Sequence, residues 1–211
     1  MATPALAASE TPRTTRPAGN VDGQLIYAIG DIHGCYDQLR HLLAKIARDA
    51  EAHAAGRVAS LIFCGDYVDR GPASAQVIDA LCWLKRHSPF HTHFLMGNHE
   101  EVMLSYIADP GQTKVWMRFG GMQTLQSYNV DPPSPDDTPD RHRIARDDLL
   151  ERLPVAHLRF LEGLDLMVQS LLQTFFGGEA IGQLFEPPEH AGGQQRCGDN
   201  RRPLIDEALF A

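Results

Sequence analysis

Three short apolar runs punctuate the first half of the chain. Each gives way to a glycine, a cluster of polar residues and then apolar positions at helical spacing. Leu25 to Ile29, Val58 to Cys64 and Phe90 to Met96 predict buried strands, the last one interrupted by His91 and His93. Leu39, Leu42, Leu43 and Ile46 recur so as to line one face of a helix. Val77, Ile78, Leu81 and Leu84 do the same for a second helix, with Pro72 suited to its first turn. Glu101 to Ile107 predicts a third helix. Strand and helix in alternation predict an α/β domain with a parallel sheet and right-handed crossovers.

Ligands of such sheets gather beyond the carboxyl ends of the strands. The polar clusters fall there: Gly30-Asp31-Ile32-His33-Gly34, Gly65-Asp66-Tyr67-Val68-Asp69-Arg70-Gly71 and Gly97-Asn98-His99-Glu100. A single Gly-Asp after a strand is ordinarily a turn, but three such clusters on one rim predict a site. Glu100 and Glu101 read as favouring a helix start. His41, His53, His87, His91, His93, His142 and His157 belong to no motif and read as surface or ordinary core histidines. Asp131 to Asp140, dense in Pro and Asp, predicts a loop near the site entrance, and Arg141, Arg143 and Arg146 read as a solvated face.

Composition narrows the class. Residues 1–22 are rich in Ala, Thr and Pro and predict a flexible tail, whereas 211 residues suffice for one domain with a sizeable core. A formal net charge of −8 argues against a general binder of nucleic acid or anionic membrane. The positive charge that a phosphate needs must then be local. No apolar run approaches a membrane span, and the start lacks a basic-then-apolar leader pattern. Cys35, Cys64, Cys82 and Cys197 form no CxxC pair and read as buried reduced thiols, so a cytoplasmic location is expected.

The clustered residue types permit one chemistry in particular. Asp31, His33 and Asp66 offer two carboxylates and an imidazole to a divalent cation, and Asn98 offers an amide oxygen to a second. Mixed oxygen and nitrogen donors suit manganese first, with iron or zinc as alternatives. If Asp66 bridges the two ions, they could share and activate one water. Arg70 suits a bidentate clamp on phosphate oxygens. His99 suits protonation of the leaving oxygen, with Asp69 orienting its imidazole. Together these parts describe metal-assisted hydrolysis of a phosphate ester.

The same motifs, GDIHG at 30–34, GDYVDRG at 65–71 and GNHE at 97–100, resemble the calcineurin-like metallophosphoesterases. Within them the chain is similar to bacterial serine/threonine protein phosphatases of the PPP type. The resemblance runs from about Gln24 to Val168 and takes in Trp116, Gly120-Gly121 and Thr124 to Tyr128. It implies an α/β sandwich over residues 23–168. It also implies a first metal on Asp31, His33 and Asp66, and a second on Asp66 and Asn98. Arg70 becomes the phosphate contact, and His99 with Asp69 the acid pair. The implied substrate is a phosphorylated protein or a small phosphoester. The runner-up enzyme is a symmetrical dinucleoside tetraphosphatase, and a non-catalytic remnant with weak metal affinity is the competing class.

After Val168 the resemblance stops. The family continues with a strand ending in a histidine motif and a later strand ending in Gly-His, whereas residues 169–211 are rich in Gly, Gln and Pro. His190-Ala191-Gly192 spells the first motif, but Glu186-Pro187-Pro188-Glu189 precedes it instead of an apolar strand. A change of reading frame near Gln169 is the favoured reading of this departure, leaving only the amino-terminal part of the sandwich complete. A shortened homologue is the other reading. On the first, about one weakly bound manganese and near-background turnover are expected, because Asp66 and Asn98 alone give a second ion little hold.

Overall fold

The computed structural model describes residues 25–165 of the 211. Residues 1–22, residues 169–211 and His190 therefore lie outside the described residues. Within them the alternation holds. Three strands, β1 (Ile26–Ile29), β2 (Ser60–Phe63) and β3 (His91–Phe94), form one parallel sheet in the order β1-β2-β3. Ile29 pairs with Phe63 and Phe63 with Phe94, so the three strand ends lie in register. Asp165 adds a parallel bridge to Leu95 on the far side of β3.

Each strand is shorter than its apolar run. Val58 is 55% exposed and Cys64 is also exposed, which removes both from the buried strand. The expectation of uniformly buried thiols fails at Cys64, which sits on the open rim, while Cys82 is buried; none of Cys35, Cys64 and Cys82 forms a disulfide.

Helix α1 (Tyr36–His53) buries Tyr36, Leu39, Leu43, Ile46 and Ala50. Leu42, assigned to that face by spacing, stands at its edge, 40% exposed. Helix α2 (Ser74–His87) buries Val77, Ile78, Leu81 and Leu84. It begins at Ser74, so Pro72 precedes the helix rather than filling its first turn. Helix α3 (Asn98–Ala108) starts three residues earlier than the spacing of its apolar positions predicts, which carries Asn98, His99 and Glu100 onto its first turn. A 3₁₀ segment (Lys114–Phe119) and α4 (Gly121–Ser127) follow, then α5 (Pro139–Arg152) and α6 (Val155–Glu162). Thr138 caps α5 by accepting from the Arg141 amide, and Pro139 takes the first helical position, so the Pro-rich loop ends slightly earlier than expected.

The core is continuous from the sheet into these helices. Leu61 and Phe63 are wholly buried, Phe63 stacks on Phe94 with centroids 4.9 Å apart, and Phe160 of α6 meets Phe94 edge-on at 5.2 Å. Burying each such side chain is worth about 1.5–3 kcal/mol. Arg141 pairs with Asp131 and Arg143 with Asp140 at the surface, as the solvated-face reading has it. Arg146 instead donates to the Ile107 carbonyl and fastens α5 to α3. Among the described residues, no helix is long and apolar enough to cross a membrane.

Two histidines outside the motifs are core residues. His142 is wholly buried beside the Tyr106 hydroxyl, and His157 accepts from Tyr128 Oη at 3.0 Å and donates toward Asp79. Burial pushes both imidazoles below their ordinary value of 6.5. The unfolded chain therefore takes up protons before the folded one does as pH falls. This contribution is fully present above 6.5 and is lost as pH drops toward the folded values. The midpoint of thermal unfolding is expected to fall between about pH 7.5 and about pH 5.5. In His157→Gln, whose amide keeps an acceptor for Tyr128 and a donor for Asp79, the fall should be shallower. Equal slopes in calorimetric scans of both proteins would remove His157 as a cause.

Candidate active site

The loops that follow the three strands are stitched together by backbone bonds. The amides of Ile32 and His33 donate to the Asp66 carbonyl at 3.0 and 2.9 Å, Gly34 N donates to Tyr67 O at 2.8 Å, and Gly71 N to His33 O at 3.0 Å. The third loop closes just as tightly. A Cβ at Gly97 would collide with the amide nitrogen and Oδ1 of Asp66, so only glycine lets the loop before α3 lie against this carboxylate.

His33 presents one ring nitrogen to the site without a partner. Its Nδ1 lies 2.9 Å from the Val68 carbonyl and donates to it, so that in the neutral ring the lone pair is on Nε2. That Nε2 is buried and has no hydrogen-bond partner. A bare buried lone pair costs free energy unless something binds it, and a backbone carbonyl on the other ring nitrogen is the usual support of a metal-bound histidine. Asp31 is exposed, with Oδ2 3.7 Å from this Nε2. Candidate ligand atoms of His33, Asp66 and His99 all lie within 4.8 Å of one another. Asp31, expected in the set, is replaced there by His99. Both nitrogens of His99 are already engaged, by Asp69 and Arg70, whereas the exposed Asp31 carboxylate lies on the open side of His33. Asn98 lies exposed at the start of α3.

His99 is almost wholly buried. Its Nδ1 donates to Asp69 Oδ2 at 2.6 Å, and its Nε2 accepts from Arg70 Nη2 at 3.2 Å. Because a guanidinium only donates, this pair of contacts defines a neutral imidazole with its proton on Nδ1. Burial pushes the Asp69 carboxyl above the ordinary value, opposed by hydrogen bonds from His99, Thr124 and Trp116. The structure thus brings His33, Asp66, Asp69, Arg70 and His99 into one site, with Asp31 and Asn98 at its exposed margin.

Glu100 does more than start a helix. It is fully buried, and its two carboxylate oxygens accept from four backbone amides: Asp66 and Gly97 on Oε2, at 2.8 and 3.1 Å, and Tyr67 and Val68 on Oε1, at 2.8 and 3.1 Å. Burial raises its carboxyl's pKa, and the loop amides oppose that rise. The bond to Gly97 is a local one, a Glu at the third helical position reaching back to the amide before the helix, which a Glu there signals; glycine has no side chain to return it. The three bonds to the loop after β2 have no such local signal. That loop holds Asp66, Asp69 and Arg70 at positive φ of 54°, 74° and 66°.

The chain belongs to the calcineurin-like phosphoesterase family, whose model matches residues 25–167. It is 33% identical over 106 residues to the asymmetrical bis(5'-nucleosyl)-tetraphosphatase PrpE of Halalkalibacterium halodurans, covering 48% of this chain and 40% of that one. It is 30% identical over 105 residues to the symmetrical bis(5'-nucleosyl)-tetraphosphatase of Buchnera aphidicola subsp. Baizongia pistaciae, covering 50% of this chain and 34% of the relative. The matched region therefore spans well under half the length of these relatives. A cold-active protein tyrosine phosphatase mutant superposes at a TM-score of 0.32 and 19% identity, over 72% of this chain and 54% of that one, too loosely to bear on the site.

Proposed function

We propose that this domain hydrolyses a phosphoester, and that a dinucleoside tetraphosphate is a better substrate than a phosphoprotein. One observation carries the reaction class: the unpartnered Nε2 of His33 faces the same small site as Asp66 and the buried Asp69–His99 pair. The substrate preference rests on the names of the similar proteins, which are tetraphosphatases, and it reverses the order of the two enzyme readings drawn from the sequence.

Asp31, His33 and Asp66 would hold one divalent ion, and Asp66 with Asn98 a second. Manganese fits this donor set, with iron or zinc as alternatives. Bound ions of this kind lower the pKa of water and neutralise phosphoryl oxygens. The chain's own residues do the rest. Arg70 turns from His99 onto phosphate oxygens, because a proton on His99 Nε2 and the present bond from Arg70 exclude each other. Nε2, once released by Arg70, takes that proton from solvent. As a water oxygen forms its bond to phosphorus, His99 gives the proton to the leaving oxygen, which keeps the electron pair of the broken P–O bond, and the attacking water's proton passes to solvent. Asp69 holds the imidazole in line and stabilises its charged form.

The test is hydrolysis of diadenosine tetraphosphate against a phosphoserine peptide, with manganese present and after chelation. Faster metal-dependent release of nucleotide is expected, and a preference for the peptide would restore the phosphoprotein reading. The products report the mode. Symmetrical cleavage, the mode of the runner-up enzyme in the sequence reading, yields two nucleoside diphosphates, and asymmetrical cleavage a mono- and a triphosphate. Manganese binding without turnover of either substrate would leave a binding module.

A further inference from the structure

The motif loops are only one side of the proton-delivery pair. The other side comes from the 3₁₀ segment Lys114–Phe119 and α4, and it meets Asp69 from behind. Asp69 Oδ2, the oxygen bonded to His99, also accepts from the indole Nε1 of Trp116 at 2.8 Å. Oδ1 accepts from Thr124 Oγ1 at 2.7 Å. The Asp69 amide donates to Thr124 Oγ1 at 2.9 Å and to Ser74 Oγ at 3.1 Å, and those two hydroxyls are 3.1 Å apart. Asp69, Trp116, Thr124 and Ser74 are all essentially inaccessible to solvent.

The backbone is shaped for this contact. Gly120 lies at φ 113°, and a Cβ there would collide with the Arg70 amide and crowd Asp69 Cβ. A Cβ at Gly121 would strike the Trp116 indole ring. The glycine pair thus lets the segment close onto the turn that carries Asp69 and Arg70, and the Tyr106 ring, 4.9 Å from the indole, holds it from the other side.

From this arrangement we infer that Trp116 and Thr124 are positioning residues for His99, acting through the Asp69 carboxylate. The inference rests on the acid role of His99 proposed above. An indole N–H can only donate, so Trp116 fixes Oδ2 as an acceptor and favours the ionised carboxylate. Thr124 prevents the carboxylate from rotating, because its hydroxyl holds Oδ1 while its oxygen receives the Asp69 amide. With both oxygens fixed, the lone pair on Oδ2 that meets Nδ1 has one direction, and so has the Nε2 that faces the substrate. Ser74 supports the backbone of the same turn without touching the carboxylate.

The test compares Trp116→Phe, Thr124→Val and Thr124→Ser with His99→Asn, and uses Trp83→Phe as a control for losing an indole elsewhere. Two readouts are taken on the full chain, turnover with manganese and a proton resonance without added metal, because paramagnetic manganese beside His99 would broaden the signal away. The first is the ratio of turnover on 4-nitrophenyl phosphate, whose leaving group needs no proton, to turnover on an alkyl phosphate, whose leaving group does. His99→Asn should raise this ratio most, and Trp116→Phe and Thr124→Val should raise it about 10- to 100-fold, the effect of losing one hydrogen bond to a charged group. Thr124→Ser, which keeps the hydroxyl, should stay near wild type. The second readout is the proton resonance of His99 Nδ1–H, expected far downfield in the native chain. It should move upfield in Trp116→Phe and Thr124→Val and hold in Thr124→Ser and Trp83→Phe.

The outcomes separate the two levels. Equal losses on both substrates for His99→Asn would remove the acid role. A selective His99→Asn beside unselective Trp116→Phe and Thr124→Val would overturn the positioning role alone. Should turnover be too slow to compare, the resonance still decides, because an unmoved Nδ1–H signal in both variants overturns the inference. Thr124→Ser against Thr124→Val keeps the comparison available if Trp116→Phe fails to fold.

Discussion

Glu100→Gln is expected to destabilise the domain by about 2–4 kcal/mol, because a side-chain amide can present one acceptor oxygen where two are in use. In the native arrangement four backbone amides converge on this buried carboxylate. In the variant, two of them would face an NH₂ group, donor against donor, with no solvent to relieve them. For a chain of this size the midpoint of thermal unfolding should drop by about 5–15 °C. Metal affinity should fall with it, since the Asp66 and Gly97 amides are among the four and Asp66 is a proposed ligand. Glu101→Gln is the matched control: one residue along and solvent-exposed, it should stay within about 0.5 kcal/mol of wild type. A Glu100→Gln variant melting within about 2 °C of wild type would show that the loop after β2 does not depend on this carboxylate.

How far such relations can be read without coordinates depends on whether they are local. The strands were legible because Leu61 and Phe63 sit in continuous apolar runs, and the helices because Leu39, Leu43 and Ile46 keep a period near 3.6. What the pattern overstates is the ends: Val58, Cys64 and Leu42 continue it in sequence but reach solvent in space. The gathering of Asp31, His33, Asp66, Asp69, Arg70 and His99 was also legible, since parallel strands bring their trailing loops to one rim. Glu100 was half legible, as a helix-start residue, because its bond to Gly97 spans three positions whereas those to Tyr67 and Val68 span 33 and 32. Trp116 and Thr124 reach Asp69 across 47 and 55 positions, and no spacing announces that. The local hint was Gly120-Gly121, a pair that marks a close backbone approach without saying to what.

Arg70 separates function from stability most sharply. It is exposed, and its guanidinium reaches only the Nε2 of His99 among the described contacts, so little of the fold depends on its side chain. Arg70→Ala is expected to lower kcat/KM by about 10²–10³, the usual cost of removing one donor that stabilises developing negative charge. Arg70→Lys should recover only part of this, because a point charge cannot reproduce a planar fork on two phosphate oxygens. Inhibition by inorganic phosphate should weaken in parallel. The backbone supplies a second, independent readout. Arg70 sits at φ 66°, a conformation that costs an ordinary side chain about 1–2 kcal/mol but that asparagine adopts more readily. Arg70→Asn should therefore abolish phosphate inhibition while leaving the thermal midpoint unchanged or raised. That combination is what a residue held in strain for its chemistry would show. If Arg70→Asn instead lowered the midpoint and kept phosphate inhibition, the side chain would be a structural tie to His99, and the clamp assignment would fall.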